Sequence, residues 1–252
     1  MIMRPILSFL LLLAFFTLTG QTSDNPAAEG FRASASDPQA IQLADEVMQA
    51  MGGRTAWDNT HFIRWTFFGR RTLLWDKWTG KVRIDFPDKE DVFIVDINTG
   101  EGKIWLNGEE QTQPDTLAKY TAQARSIWIN DAYWLVMPYK LKDTGVTLRY
   151  LGQQQQGDTI RHQLQLTFEN VGDTPENKYW VFVDDQTKLV DEWQFFPQFD
   201  DATPRFSTPW ADYKPYGAIL LSGNRGRGQL TDIAVYDELP ASVFLVKDPY
   251  ER

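Results

Sequence analysis

His61 and His162 are the only imidazoles in 252 residues, and the chain has no cysteine. Zinc sites built on thiolates are therefore impossible. No H-E-x-x-H, G-x-S-x-G or P-loop spacing occurs, which removes the common zinc-protease, α/β-hydrolase and nucleotide sites. His162 falls between Ile160 and Leu164 in an alternating run and reads as an interior histidine with its hydrogen bonds satisfied, not as a ligand or base. Asp184-Asp185 and Asp200-Asp201 offer oxygen ligands for a hard cation. Adjacent aspartates on a strand point to opposite faces, and the first pair sits in a turn, so turn chemistry is the simpler account. Glu109-Glu110, behind the turn-forming Asn107-Gly108, reads the same way. A glycosidase needs two acids about 5–10 Å apart across a cleft, but a chain with 34 Asp and Glu always offers candidates. The stretch Ser222-Gly223-Asn224-Arg225-Gly226-Arg227-Gly228 contains two arginines able to grip a phosphate or carboxylate head. Its glycines separate two strands instead of opening a helix, which favours a flexible hairpin loop. No nucleophile–base pair and no metal set can be assembled. The expectation is a non-enzyme with no catalytic residue, no metal and no cofactor.

The ten tryptophans stand out more than any motif. Trp65, Trp75, Trp105, Trp134, Trp180 and Trp193 fall in predicted regular structure. Each buries about 150–250 Å², so most are expected in the core, with some left to line a cavity or stack against a sugar. Lys and Arg number 25 against 34 acids, a formal charge of −9. That balance argues against a nucleic-acid surface and against a polybasic lipid-headgroup patch.

The elements that position these residues follow from periodicity. Arg4, the apolar run Ile6 to Leu18 and then small polar residues make a secretory signal peptide over residues 1–20. The run is shorter than the roughly 20 residues of a membrane span. Leu18-Thr19-Gly20 starts like a bacterial lipobox, but Gln21 stands where the lipidated cysteine would be. The chain is thus expected to be periplasmic or secreted and not a lipoprotein. Residues 21–36, rich in Ser, Ala, Asp and Pro, read as a flexible leader, and residues 37–252 as one domain.

Ser36 or Asp37 caps a helix with Pro38 in its first turn and Ile41, Ala44, Met48 and Met51 on one stripe. Gly52-Gly53 ends it. From His61 the period becomes two. A hairpin over Thr79-Gly80 is expected to set Asp76 against Arg83 and Trp75 against Ile84. Leu73, Trp75, Val82, Ile84 and Phe86 then share a face. Further strands lie around Phe93-Ile97 and Ile104-Asn107. A second helix opens at Pro114-Asp115 and stops at Pro138, with Asp131 at the edge of its stripe. Later strands cover Val146-Tyr150, Ile160-Phe168, Tyr179-Asp184, Leu189-Phe196, Ala218-Leu221 and Leu230-Tyr236. Polar or irregular loops fill 152–158 and 197–215. The sum is about eleven antiparallel strands and two helices.

In this order Met51-Gly52-Gly53 with Trp57, the run Tyr133 to Leu141, the turn Val183 to Val190 and the ending Leu239 to Phe244 become recognisable. Together they resemble an exported branch of the LolA/LolB lipoprotein-carrier superfamily over nearly the whole mature chain. The resemblance implies a mainly β (α+β) fold: a curved, unclosed antiparallel β-barrel whose concave face is covered by helices. It also implies a hydrophobic cavity that receives acyl chains. Independently, amphipathic helices and one-sided strands pack best with apolar stripes against the inner sheet face. The expected role is a carrier or binding protein holding a lipid or lipidated protein, with no nucleic-acid partner and no stable membrane insertion. Ile63, Trp65, Phe67, Trp75, Ile84, Val95, Leu148, Leu164 and Leu166 are the candidate cavity residues. The alternatives are a carbohydrate or peptidoglycan binder using exposed tryptophans, and a packed structural module.

Overall fold

Alternation of apolar and polar residues from His61 onward becomes strand, and the two helical stripes become helix. The computed structural model describes residues 24–249, so the expected signal peptide lies outside the described residues. Helix α1 covers Pro38–Ala50 and α2 covers Gly53–Asn59. Strands β1 (Phe62–Phe67), β2 (Arg71–Asp76), β3 (Lys81–Asp85), β4 (Val92–Asp96), β5 (Gly102–Leu106) and β6 (Glu109–Glu110) follow. Helix α3, Pro114–Val136, leads through a 3-10 turn at Met137–Lys140 into β7 (Val146–Gln156), β8 (Thr159–Phe168), β9 (Lys178–Asp184) and β10 (Val190–Phe196). The chain closes with β11 (Phe206–Pro209), β12 (Ala211–Tyr216), β13 (Ile219–Arg225), β14 (Gly228–Tyr236) and a 3-10 turn at Ala241–Phe244.

The strands form two antiparallel sheets that do not close into a barrel. One runs β12-β13-β14-β1-β2-β3-β4-β5-β6 and the other β11-β10-β9-β8-β7. Strands β11 and β12 are separated only by Trp210, so one bent stretch of chain pairs first with β10 and then with β13. At the opposite side the sheets are linked by α3. Apolar residues of both sheets, α1 and α3 share one core. A smaller apolar cluster of Phe62, Leu74, Val92, Ile94, Trp105, Val243 and Phe244 lies on the other face, under the C-terminal segment.

Several local expectations are corrected. In the β2–β3 hairpin Trp75 pairs with Val82 and Leu74 with Arg83, a slip of two residues that leaves every side chain on its intended face. The slip arises because the Asp76 carboxylate accepts from Trp78 N, Thr79 N and Thr79 Oγ1, building a longer turn. The expected Asp76–Arg83 pair does not form. The polar stretch 152–158 is mostly strand, with β7 resuming pairing at Gly152 after a bulge at Leu151. The irregular connection 197–215 contains β11 and most of β12, whose short length and prolines hide them from pattern reading.

From Asp24 onward the segment expected to be a loose leader is held against β7. Arg32 N donates to Val146 O and Asp37 N to Leu148 O. Leu148 N donates to Ser36 Oγ and Tyr150 N to Asp37 Oδ2. Lys142 joins it through the Asn25 carbonyl and Asp45. Few apolar residues are needed, because the segment answers backbone groups that an edge strand leaves open. These bonds also redirect Ser36 and Asp37: neither side chain caps α1.

Candidate functional site

The inner faces of the two sheets and the underside of α3 enclose the region where cavity residues were expected. Cross-strand register sets Ile63 opposite Trp75, Trp65 opposite Leu73 and Ile84 opposite Phe93. Val95 lies opposite Val82, Leu148 opposite Leu166, and Leu164 opposite Val181. All nine candidates, Ile63, Trp65, Phe67, Trp75, Ile84, Val95, Leu148, Leu164 and Leu166, belong to the single core cluster. The most exposed of them, Trp75, shows 8% of its surface.

In this conformation all nine side chains are buried against one another and against the helices. None of the nine residues lines either of two pockets, of about 80 and 490 Å³, found elsewhere in the described part of the fold. The smaller lies between α1, α2 and the 3-10 turn after α3. The larger lies on the outer face of β1–β3 beneath the C-terminal segment, between Arg64, Leu74, Arg83, Tyr236 and Lys247.

What fills the hollow is aromatic. Trp128 on α3 meets Trp75 edge-on at 5.3 Å, and Trp57 lies 6.4 Å from Trp75. Five residues further along α3, Tyr133 and Trp134 lie 5.8 and 4.8 Å from Trp193. Trp193 stacks on Tyr179 at 5.0 Å and meets Trp210 edge-on at 5.2 Å. Such pairs add about 0.5–1.5 kcal/mol each beyond area burial.

The polar ends of these rings are largely unspent. Nε1 of Trp65, Trp75, Trp128, Trp193 and Trp210 and the Tyr133 hydroxyl are buried without a hydrogen-bond partner. Burial pushes the Tyr133 hydroxyl well above the ordinary tyrosine value and Tyr179 up to about 12. Native interiors pair 90% or more of buried polar groups, and an orphan costs about 1–3 kcal/mol. Six unpartnered groups in or against one core depart from that pattern.

Helix α3 is fastened across this region by two cations on the large sheet. Arg71, at the start of β2, donates Nε and Nη2 to the Asp131 carboxylate at 2.6 and 2.7 Å. Asp131 was expected at the edge of the helix stripe and is instead completely buried. Burial raises its pKa in spite of Arg71. Arg225, at the end of β13, donates Nε and Nη2 to the Trp134 carbonyl in the last turn of α3, where a cation is favoured by the helix dipole. After α3, the Tyr139 ring stacks on Trp57 at 4.3 Å. Its hydroxyl sits between Met51 O and Leu220 O at 2.7 and 2.8 Å.

Of the groups weighed for chemistry, Arg225 lies here, and the histidines and the Asp184-Asp185 pair do not. His162 is partnered on both nitrogens, by Tyr150 Oη at 2.9 Å and Asp185 Oδ1 at 2.7 Å. Asp184 accepts from Gln186 N and Thr187 N, the turn role expected of it. Among the described residues no three His, Asp or Glu side chains converge as a metal site requires. Asp131, Trp128, Trp210 and the buried placement of Arg225 were not legible as site features. Tyr133 and Trp134 were visible as a doublet, but not as the underside of a cover.

No protein-family model and no curated protein matches the chain. Solved structures do show a likeness. A DUF1329 family protein from Desulfovibrio piger is 12% identical at TM-score 0.45, covering 83% of this chain and 98% of its own. A protein described as an outer membrane lipoprotein-sorting domain, from Vibrio parahaemolyticus, is 10% identical at TM-score 0.43, covering 82% and 96%. A LolA superfamily protein from Nitrosomonas europaea is 8% identical at TM-score 0.38, covering 81% and 96%.

Proposed function

We propose that this is an exported, non-enzymatic carrier that holds a lipid or acylated ligand between the inner sheet faces and α3. The observation that carries the reading is the set of six buried, unpartnered groups, five indole N–H and one hydroxyl, in a largely apolar, aromatic interior. An acylated ligand matches that combination. Its chains replace ring contacts by contacts of the same kind, and its ester or amide carbonyls are acceptors for donors that have none. Admission requires α3 to move, because the hollow is filled while the helix is seated. Two polar ties on one helix suit a cover that must both close and open.

The carbohydrate alternative has less to stand on. It needs exposed indoles, and of the ten tryptophans only Trp78 is exposed, at 59%, with its ring already stacked on His61. The test is organic-solvent extraction of the purified protein with mass spectrometry of the extract, alongside titration with a pyrene-labelled long-chain alcohol. Co-purifying acyl lipid and saturable probe binding are the expected results. A protein that carries no lipid and leaves the probe in water would refute the reading.

A further inference from the structure

One end of the aromatic assembly has a charge that the carrier reading alone does not use. Arg225 is 3% exposed, and its guanidinium carbon lies over the Trp210 ring, 3.5 Å from the centroid. Its donors go to the Trp134 carbonyl, the Ser222 and Asn224 carbonyls and Ser222 Oγ. Every one of these acceptors is neutral. Among the described residues no carboxylate forms an ion pair with it, whereas of the other well-buried arginines Arg83 pairs with Asp85, and Arg161 with Asp191 and Glu192. Burial draws the Arg225 pKa down to about 9, so the cation is held at a cost. Part of that cost is offset by the α3 C-terminus, worth roughly half a negative charge.

The neighbouring orphan groups can all donate, and the two indoles can only donate. Trp210 Nε1, Trp193 Nε1 and the Tyr133 hydroxyl, linked ring to ring with Trp210 next to the guanidinium, are all donors. A buried cation, two indole N–H groups that can only donate and a hydroxyl that can donate make a site weighted toward donors. Acyl carbonyls would satisfy the indoles but not the charge.

We propose, building on the carrier reading, that the ligand's polar end is an anion, a carboxylate or phosphate, seated against Arg225 with Trp193, Trp210 and Tyr133 as further donors. The anion takes the guanidinium edge now given to the Trp134 carbonyl, so the group that receives the ligand is also one that fastens α3. Head-group binding and release of the cover then share one residue.

The experiment uses the full chain with the pyrene-labelled alcohol as neutral reporter, displaced at neutral pH by palmitate, hexadecyl phosphate, hexadecanol and hexadecyltrimethylammonium. Either anion is expected to displace at about tenfold lower concentration than hexadecanol, equivalent to about 1.4 kcal/mol, with the ammonium weakest. Which anion is stronger separates a free acid from a phosphate head. Arg225→Gln, checked for fold by circular dichroism, is expected to lose the preference, read as the ratio of palmitate to hexadecanol displacement whatever its affinity for the reporter. If that variant does not fold, Trp210→Phe replaces it and is expected to reduce the preference about threefold. Equal displacement by acid and alcohol in the wild type would overturn the anion site while leaving the carrier reading intact. Failure of the reporter to bind would overturn both.

Discussion

Asp131→Ala removes the acid that ties α3 to the large sheet, and its cost can be worked from the geometry. The carboxylate is completely buried and accepts two charge-assisted bonds from Arg71 and one from Asn130 Nδ2 at 2.9 Å. Removing one partner of a buried pair costs about 3–5 kcal/mol, chiefly because the other charge is stranded. Arg71 keeps 19% of its side-chain surface and a position over the Phe67 ring at 5.1 Å, so partial hydration places the expected loss near the lower end, about 3 kcal/mol. With a urea dependence of about 3 kcal/mol per molar for a chain of this size, the midpoint falls by about 1 M. The raised pKa of Asp131 says that burial outweighs Arg71 in setting its charge state. The pair is therefore a weak net stabiliser that is expensive to break singly. Arg71→Met with Asp131→Leu is accordingly expected to be less destabilising than Asp131→Ala alone. Urea unfolding followed by tryptophan fluorescence measures both. A midpoint shift under about 0.3 M for Asp131→Ala, or a double variant weaker than the single one, would refute the reasoning.

Asp191 is pushed from 3.8 to about 6, burial being the largest cause. A raised carboxyl pKa contributes stability that is complete below about 4 and lost as pH rises through about 6. With 35% of its side chain exposed, Asp191→Asn should flatten the stability–pH curve across that window and add at most about 1 kcal/mol at pH 7. Gly52 adopts φ +112°, and a Cβ there would lie 2.3 Å from the Ala218 carbonyl oxygen. Gly52→Ala should therefore cost at least about 2 kcal/mol and lower the melting temperature by several degrees. Arg83 donates to the Val243, Val246 and Lys247 carbonyls, so Arg83→Met should make residues 237–249 sensitive to limited proteolysis while the sheets stay folded. Trp193→Phe removes an indole N–H that has no partner and should change stability by less than about 1 kcal/mol, against about 3–5 for Trp193→Ala.

The alternating runs, the helix stripes and the glycine pair after α1 made most of the fold legible, because period two and period 3.6 are imposed by burial on one face. Faces survived even where register did not: the β2–β3 slip by two residues kept Leu73, Trp75, Val82 and Ile84 inward. Short strands such as β11 carry too few residues to show a period, and α2 was hidden because its glycine start looked like the end of α1. The burial of Asp131 was illegible for a different reason. Its environment is created by Arg71, sixty residues away, and a helix stripe records only which side faces in. Likewise the arginine-bearing segment at 222–228 was visible as a possible grip for an anionic head, but not that Arg225 turns inward while the turn itself is only Gly226-Arg227.

The segment 25–37 occupies the backbone groups along the free side of β7 that no strand of its own sheet answers. Versions of the protein shortened past Asp37 would present a bare hydrogen-bonding ladder to other molecules. Such versions should self-associate edge to edge, whether or not their interiors remain correctly assembled.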